Sequence, residues 1–211
     1  MPARLEIEPR KSPRQARAQK TVERILATTA GLLDQIGFDR LTTNLVAERA
    51  DVNIASLYAY FPNKYSLLHS LALRLAERQV AQIRAYIDRI GADVPWQVAS
   101  DGIVDAMLTA SRNEPGFAAL QHALMAVPEL RDVYRRSNDE LVDAMARFLR
   151  RYNVDLPREQ VALIQMSLGE TSAILFDLAV SQGGVDHRMI DELKRLHRGY
   201  LGTYIGAGTA R

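Results

Sequence analysis

Between Thr42 and Pro62 the chain has room for only two short helices, and that spacing constrains the fold more than any other feature. Thr42 and Thr43 carry hydroxyls that can accept from the free N–H groups of a helix start, and the helix they open runs to about Ala50. Asp51-Val52-Asn53 reads as a turn. Ile54 to Phe61 reads as a second short helix, stopped because a residue before proline is pushed out of helical geometry. Asn63 then caps a long helix carrying Leu67, Leu68, Leu71 and Leu75. Two short helices joined by a three-residue turn make a helix-turn-helix, whose second helix can enter a DNA major groove. Such a pair needs a small residue where the helices cross, which Ala47 supplies, and apolar anchors, which Val52 and Leu57 supply. It also needs a turn residue that tolerates positive φ. Asp51 is acceptable there, although glycine would be easier.

Outside those anchors stand Asn53, Ser56, Tyr58 and Tyr60. Amides and hydroxyls can donate to phosphate oxygens or read base edges without a buried counter-charge. Lys64 falls in the first turn of the long helix, where a cation opposes the helix dipole. A phosphate docked at that helix start would reverse the penalty, since free N–H groups and the ammonium would converge on it. Taken alone, Lys64 reads equally as an ordinary surface lysine.

The charge balance agrees with an anionic partner at the N-terminal end. Net charge is +2 overall, but residues 1–75 hold 11 Lys/Arg against 7 Asp/Glu, and the remainder holds 16 against 18. The densest basic run spans Arg10 to Arg24 and includes Arg14 and Arg17. A basic arm ahead of a folded unit is a common way to meet a polyanion, and a solvated tail is the plain alternative. Residues 1–15 are polar, carry Pro2, Pro9 and Pro13, and are expected to be disordered. The chain has no cysteine, which excludes thiolate chemistry and disulfides and suits a reducing compartment. Neither a signal-peptide pattern nor a run of about 20 apolar residues occurs, so a cytoplasmic protein without membrane association is expected.

Elsewhere the apolar residues recur in steps of three and four. Val22, Ile25, Leu26, Leu32, Leu33 and Ile36 make one stripe, ended by Gly37. Helices are expected from Pro95-Trp96 to about Arg112, from near Pro115, from about Glu129 to Tyr152, from Pro157 to Gln182, and from Asp186 to Ile205. No stretch alternates like a strand. The fold class is all-α with about nine helices, divided into an arm (1–15), a helix-turn-helix domain (16–62) and a helical regulatory and dimerisation domain (63–211). The helix over 158–182 carries two apolar seams. Val161, Ile164, Leu168, Thr171, Leu175 and Leu178 lie on one, and Ala162, Met166, Gly169, Ala173, Phe176 and Val180 on the other. The first seam, with Leu193, Leu196 and Tyr200 of the last helix, is expected to face a second copy of the chain; completing the monomer core is the alternative.

Residues 42–68, TTNLVAERADVNIASLYAYFPNKYSLL, resemble the signature of the TetR family of bacterial transcriptional regulators. Thr42, Thr43, Val46, Ala47, Ala50, Val52, Leu57, Tyr58, Tyr60, Phe61, Lys64, Leu67 and Leu68 carry the resemblance. Asp51 and Ala55 stand where the family usually has glycine, and Tyr65 where it usually has an acidic residue. The resemblance implies that Thr43, Tyr58, Tyr60 and Lys64 hold phosphates and that Thr42 belongs to the DNA-binding set. It implies that Asn53, Ile54, Ala55 and Ser56 face base edges, that Asn44 assists either role, and that Arg14 and Arg17 reach the backbone or a minor groove. It also implies a homodimer through the last two helices, a palindromic double-stranded operator, repression as the default, and a small-molecule effector whose binding separates the two DNA-binding heads.

The residues themselves say little about an effector. Met107, Phe117, His122, Met125, Phe148, Met166 and Phe176 are candidates for lining a site, though such residues at helical spacing usually make plain core. Their character suits an apolar or aromatic molecule. No cofactor and no metal site is expected. The four histidines form no H-x-x-x-H pair and no Gly-rich phosphate loop occurs, so an enzyme is disfavoured. Two alternatives stay open: an architectural DNA-binding protein that senses nothing, and a helical adaptor that binds protein.

Overall fold

The apolar stripe of the N-terminal segment builds α1 (Ala16–Arg40), which buries Val22, Ile25, Leu26, Leu32 and Leu33. The structure, a computed structural model, describes residues 6–11, 13, 15–91, 93–112, 115–127, 130, 132–181 and 184–206. Gly37 interrupts α1 at φ 73° and ψ 175°, a conformation open to glycine alone, so the regular helix stops where the sequence places its end. There follow α2 (Thr43–Arg49), α3 (Ile54–Tyr58), α4 (Lys64–Arg89), α5 (Trp96–Arg112), α6 (Phe117–Ala126), α7 (Asp132–Arg151), α8 (Arg158–Ala179) and α9 (His187–Ile205). The all-α class with nine helices holds among the described residues. Two differences are local. α3 ends at Tyr58 rather than Phe61, and α8 ends at Ala179. After it, Val180–Ser181 (β1) pairs antiparallel with Gly184–Val185 (β2), a ladder too short to leave an alternating pattern.

The chain divides into two compact units: residues 1–75 with 114–133, and residues 76–113 with 134–211. In the first, Leu33, Leu41, Val46, Leu57, Leu67 and Leu68 are fully buried. α6 joins this unit by packing on α1. Gly116, the N-cap of α6, makes that approach possible. It sits at φ 76°, and a Cβ there would stand 2.7 Å from the Ala30 carbonyl oxygen.

The second unit is built by burial. Val80, Ile83 and Ile87 of α4 meet Ile103 of α5, Met145, Phe148 and Leu149 of α7, Val161, Ile164 and Leu168 of α8, and Leu201 of α9. A smaller cluster joins Val104 and Leu108 to Phe176, Ile190 and Leu193. Gly169 lets α7 come close, because a Cβ there would meet the Asn138 amide at 2.0 Å. Trp96, half-buried, anchors the start of α5 against the larger cluster.

α8 and α9 also meet through buried His197, which has polar partners on α8. Ser172 Oγ lies 3.0 Å from His197 Nε2, and both residues are buried. Burial pushes the His197 imidazole down to about 4, against a smaller opposing effect from its hydrogen bond to the Leu168 backbone. The imidazole is neutral in the folded chain, whereas in the unfolded chain it titrates near 6.5. Stability is therefore full above pH 6.5 and falls as pH drops toward 4, because the unfolded state takes up a proton that the folded state refuses. Urea unfolding should show this residue removing about 2 kcal/mol between pH 7 and pH 5. His197→Gln should flatten that part of the profile; an unchanged slope would place the titration elsewhere.

Candidate nucleic-acid interface

The polar side chains of the helix-turn-helix are presented by a tight sequence of caps. Thr42 Oγ1 accepts from Leu45 N at 3.2 Å and opens α2. α2 closes with Asp51 N donating to Glu48 O at 3.1 Å and Val52 N donating to Ala47 O at 3.0 Å. That pair of bonds, with Asp51 at φ 50°, is a Schellman closure carrying aspartate where glycine is usual. Asn53 Oδ1 then accepts from Ala55 N at 2.8 Å and opens α3. Asn63 Oδ1 accepts from Ser66 N at 3.0 Å and opens α4. Each cap also has a geometric consequence. The oxygens of Thr42 and exposed Asn53 are engaged with the backbone, so it is the Asn53 NH2 that can donate elsewhere.

α3 buries Leu57 completely and turns the rest away from the unit. Asn53, Ile54, Ala55, Ser56 and Tyr58 are exposed, and Ile54 and Tyr58 are 36% and 38% accessible. The four residues from Asn53 to Ser56 make an uncharged row of amide, alkyl and hydroxyl groups, which suits base edges. Beside them Tyr58 and half-buried Thr43 pair through their hydroxyls at 2.9 Å, tying α3 to the start of α2. One of those two protons remains available to an acceptor outside. Lys64 is half-buried at the start of α4, with Nζ donating to Phe38 O at 3.2 Å and lying 4.2 Å from the Phe38 ring. Phe38 is held edge-on by Tyr65 at 5.7 Å. The ammonium is thus fixed in place at a helix start. Asn44 and Arg17 are exposed, Tyr60 is half-buried, and Arg14 lies outside the described residues.

Sequence reasoning missed the groups that hold this face from behind. Arg24 of α1 donates to Asp51 O at 3.0 Å and supports the left-handed turn. Residues 6–11, expected to be disordered, lie against the end of α3 through Arg10 and Glu6. Only the charge run from Arg10 to Arg24 hinted at either.

The expected dimer seam requires correction. Val161, Ile164, Leu168 and Leu193 are between 0% and 6% exposed and sit in the clusters of the second unit, so they are core. Thr171, Leu175 and Tyr200 are half-buried, while Leu178, at 63%, and Leu196, at 51%, stand out. The outward face of α8 is instead Leu163, Met166, Ile174 and Leu178, at 48–63% exposure. Among the described residues α8 alone is long and apolar enough to cross a bilayer, yet 39% of that stretch is buried, which commits its inner face to the core.

The effector candidates are not brought together. Phe117 is buried in the first unit, where His122 is exposed and Met125 lies on α6 with its side chain outside the described residues. Phe148 and Phe176 are buried in the two clusters of the second unit, and Met107 packs partly against both. Met166 lines an open groove of about 510 Å³ between α7 and α8, with Leu163, Ala162, Asn138, Asp139 and Glu159.

Comparison with known proteins adds independent information. Residues 25–71 match a family model described as bacterial regulatory proteins, tetR family, and residues 95–201 match one described as tetracyclin repressor-like, C-terminal domain. The chain is 32% identical to a TetR-family transcriptional regulator of Streptomyces coelicolor of known structure, covering 87% of this chain and 99% of that one, with a TM-score of 0.68. It is 45% identical to the transcriptional repressor KstR of Rhodococcus jostii, over a stretch that is 26% of each chain. It is 28% identical to the nucleoid occlusion factor SlmA of Glaesserella parasuis over 58% of each. The chain thus spans about a quarter of the repressor it matches.

The Thr43–Tyr58 pair gives a direct test of the face's construction. In a double-mutant cycle of Thr43→Val and Tyr58→Phe, denaturant unfolding should yield a coupling of about 0.5–1 kcal/mol, the value of one exposed neutral hydrogen bond. Additive effects would mean the two hydroxyls do not support each other in solution.

Proposed function

Since the chain belongs to the TetR family of bacterial transcriptional regulators, we propose that it is a repressor that binds a palindromic DNA operator as a homodimer. The observation that carries this reading is the exposed row Asn53, Ile54, Ala55 and Ser56 on a helix whose other face is anchored by fully buried Leu57. Tyr58, Thr43 and Lys64 flank that row with hydroxyl donors and a fixed cation, the groups that hold phosphates on either side of a groove. Tyr60, Thr42, Asn44 and Arg17 complete the contact set. The function is one of binding, with no catalytic step.

The dimer is supported by the outward face of α8. Leu163, Met166, Ile174 and Leu178, with Leu196 of α9, expose large apolar side chains at helical spacing. A second copy laid antiparallel on the first would cover them, and two-fold symmetry would set two α3 helices about 34–36 Å apart, one turn of DNA. A small apolar or aromatic effector would act by favouring a spacing that no longer fits. A second reading is an architectural DNA-binding protein without an effector; one relative, SlmA, is named a nucleoid occlusion factor rather than a transcriptional regulator.

Selection of bound fragments from genomic DNA at physiological salt tests the main reading. A palindrome should be enriched; salt-sensitive binding with no enriched site would favour the architectural reading, and absence of binding would sink both. At the enriched site, Lys64→Ala should weaken all DNA binding alike and lower the salt slope by about 1, whereas Ser56→Ala should change base preference at one position. Like effects from both variants would undo the division of the face. For the dimer, Ile174→Glu with Leu178→Glu should halve the mass seen by light scattering while leaving the helical circular dichroism intact. A variant that stays dimeric would move the interface elsewhere.

A further inference from the structure

Residues 6–11 are attached to the last residue of α3, Tyr58, and to the turn that follows it, at Tyr60 and Asn63. Arg10 N donates to Tyr60 O at 2.9 Å, and the Arg10 guanidinium donates to Tyr58 O at 3.3 Å. Asn63 Nδ2 donates to Glu6 O at 2.7 Å, while the same side chain caps α4 through its oxygen. Lys11 Nζ lies 5.1 Å from the centre of the Tyr60 ring. Arg10 Nε also meets the Glu6 carboxylate at 3.4 Å.

These contacts fall where α3 is weakest. A helix of five residues leaves its last carbonyls without partners inside the helix. Leu57 O takes both Tyr60 N and Phe61 N, and Arg10 covers the next outward acceptors, the carbonyls of Tyr58 and Tyr60. A cation at a helix C-terminus is also the favourable sign for the helix dipole. Arg24, on Asp51 O, supports the opposite end. Arg10 thus holds the C-terminal end of α3, and Arg24 of α1 holds the turn that precedes it.

We propose that Arg10 caps the C-terminal end of α3, and that residues 6–11 are a clasp that sets the angle at which α3 meets DNA. This rests on the reading of α3 as the DNA-reading helix. Arg10 is then a positioning residue rather than a phosphate contact. Its guanidinium is committed to a carbonyl and to Glu6, which offsets its charge locally. The rival is that Arg10 is one more cation of a basic arm, aimed at phosphate. The two differ in what they predict. A phosphate contact supports all DNA equally and contributes about 1 to the salt slope, whereas a clasp supports the specific complex and leaves the slope alone.

The test uses the full chain carrying Arg10→Ala. Amide hydrogen exchange without DNA should quicken about fivefold over residues 54–61 and stay unchanged over α5, α7, α8 and α9. Affinity for the enriched operator should fall about tenfold, with nonspecific affinity and salt slope as in the parent. Unchanged exchange, with loss shared equally by all DNA and a lower slope, would overturn the clasp in favour of a phosphate contact. Faster exchange throughout the chain would mean general destabilisation and would also overturn it. Should the parent bind no DNA, the DNA reading falls by itself, and exchange over residues 54–61 still decides whether Arg10 holds α3.

Discussion

The left-handed backbone at Asp51 is the constraint on which the outward face depends. Its φ of 50° ends α2 and turns the chain so that α3 can start three residues later. Glycine would adopt that conformation without cost, while aspartate must be held there. The two closing bonds to Glu48 O and Ala47 O do part of this, and Arg24 on the Asp51 carbonyl does the rest. Ala47, 3% exposed, leaves room for the crossing. α3 itself is far too short to be stable as an isolated helix, since nucleation alone outweighs the bonds that five residues can form. It persists because Leu57 and Phe61 are buried beneath it and because its ends are capped from other parts of the chain.

That explains which parts of the site were legible. Thr42, Asp51, Asn53, Pro62 and Asn63 each act on the backbone within three residues, so local chemistry placed the helix-turn-helix and its caps. The end of α3 was placed late because Leu57 O accepts from both Tyr60 N and Phe61 N, tightening residues 59–61 into a turn that still looks helical in the sequence. The supports at long range had no such marker. Arg24 reaches a carbonyl 27 residues away and Arg10 one 48 residues away, and any backbone carbonyl would serve, so no pattern of side chains announces the pairing. Lys64 was singled out for its awkward position on a helix start. Its fixation by the Phe38 carbonyl and ring is a tertiary contact.

α8 shows where periodicity stops discriminating. Both of its seams are apolar, and spacing alone could not say which one faces inward. Burial assigns the inner side to Val161, Ile164 and Leu168, together with two polar residues, Gln165 and Ser172. Ser172 has a partner in His197, and Gln165 reaches the Asn138 amide at 3.4 Å. The same limit affected the effector candidates. Large apolar residues fill cores before they line cavities, and Phe148 and Phe176 are ordinary core.

In the proposed dimeric reading, the shortness of α3 and the apolar outer face of α8 answer to one requirement. Four side chains from Asn53 to Ser56 can address only a few base pairs, and each good base contact discriminates by about 1–3 kcal/mol. One head would therefore separate an operator from the mass of competing genomic sites poorly. Two identical heads held in fixed register double that free energy without lengthening α3, and a symmetric dimer is the simplest way to fix the register. The cost is a face of large apolar side chains that water must not keep. In the proposed dimer Ile174 and Leu178, both more than half exposed, would supply that face, on helices whose own core already holds Phe176 and Leu193.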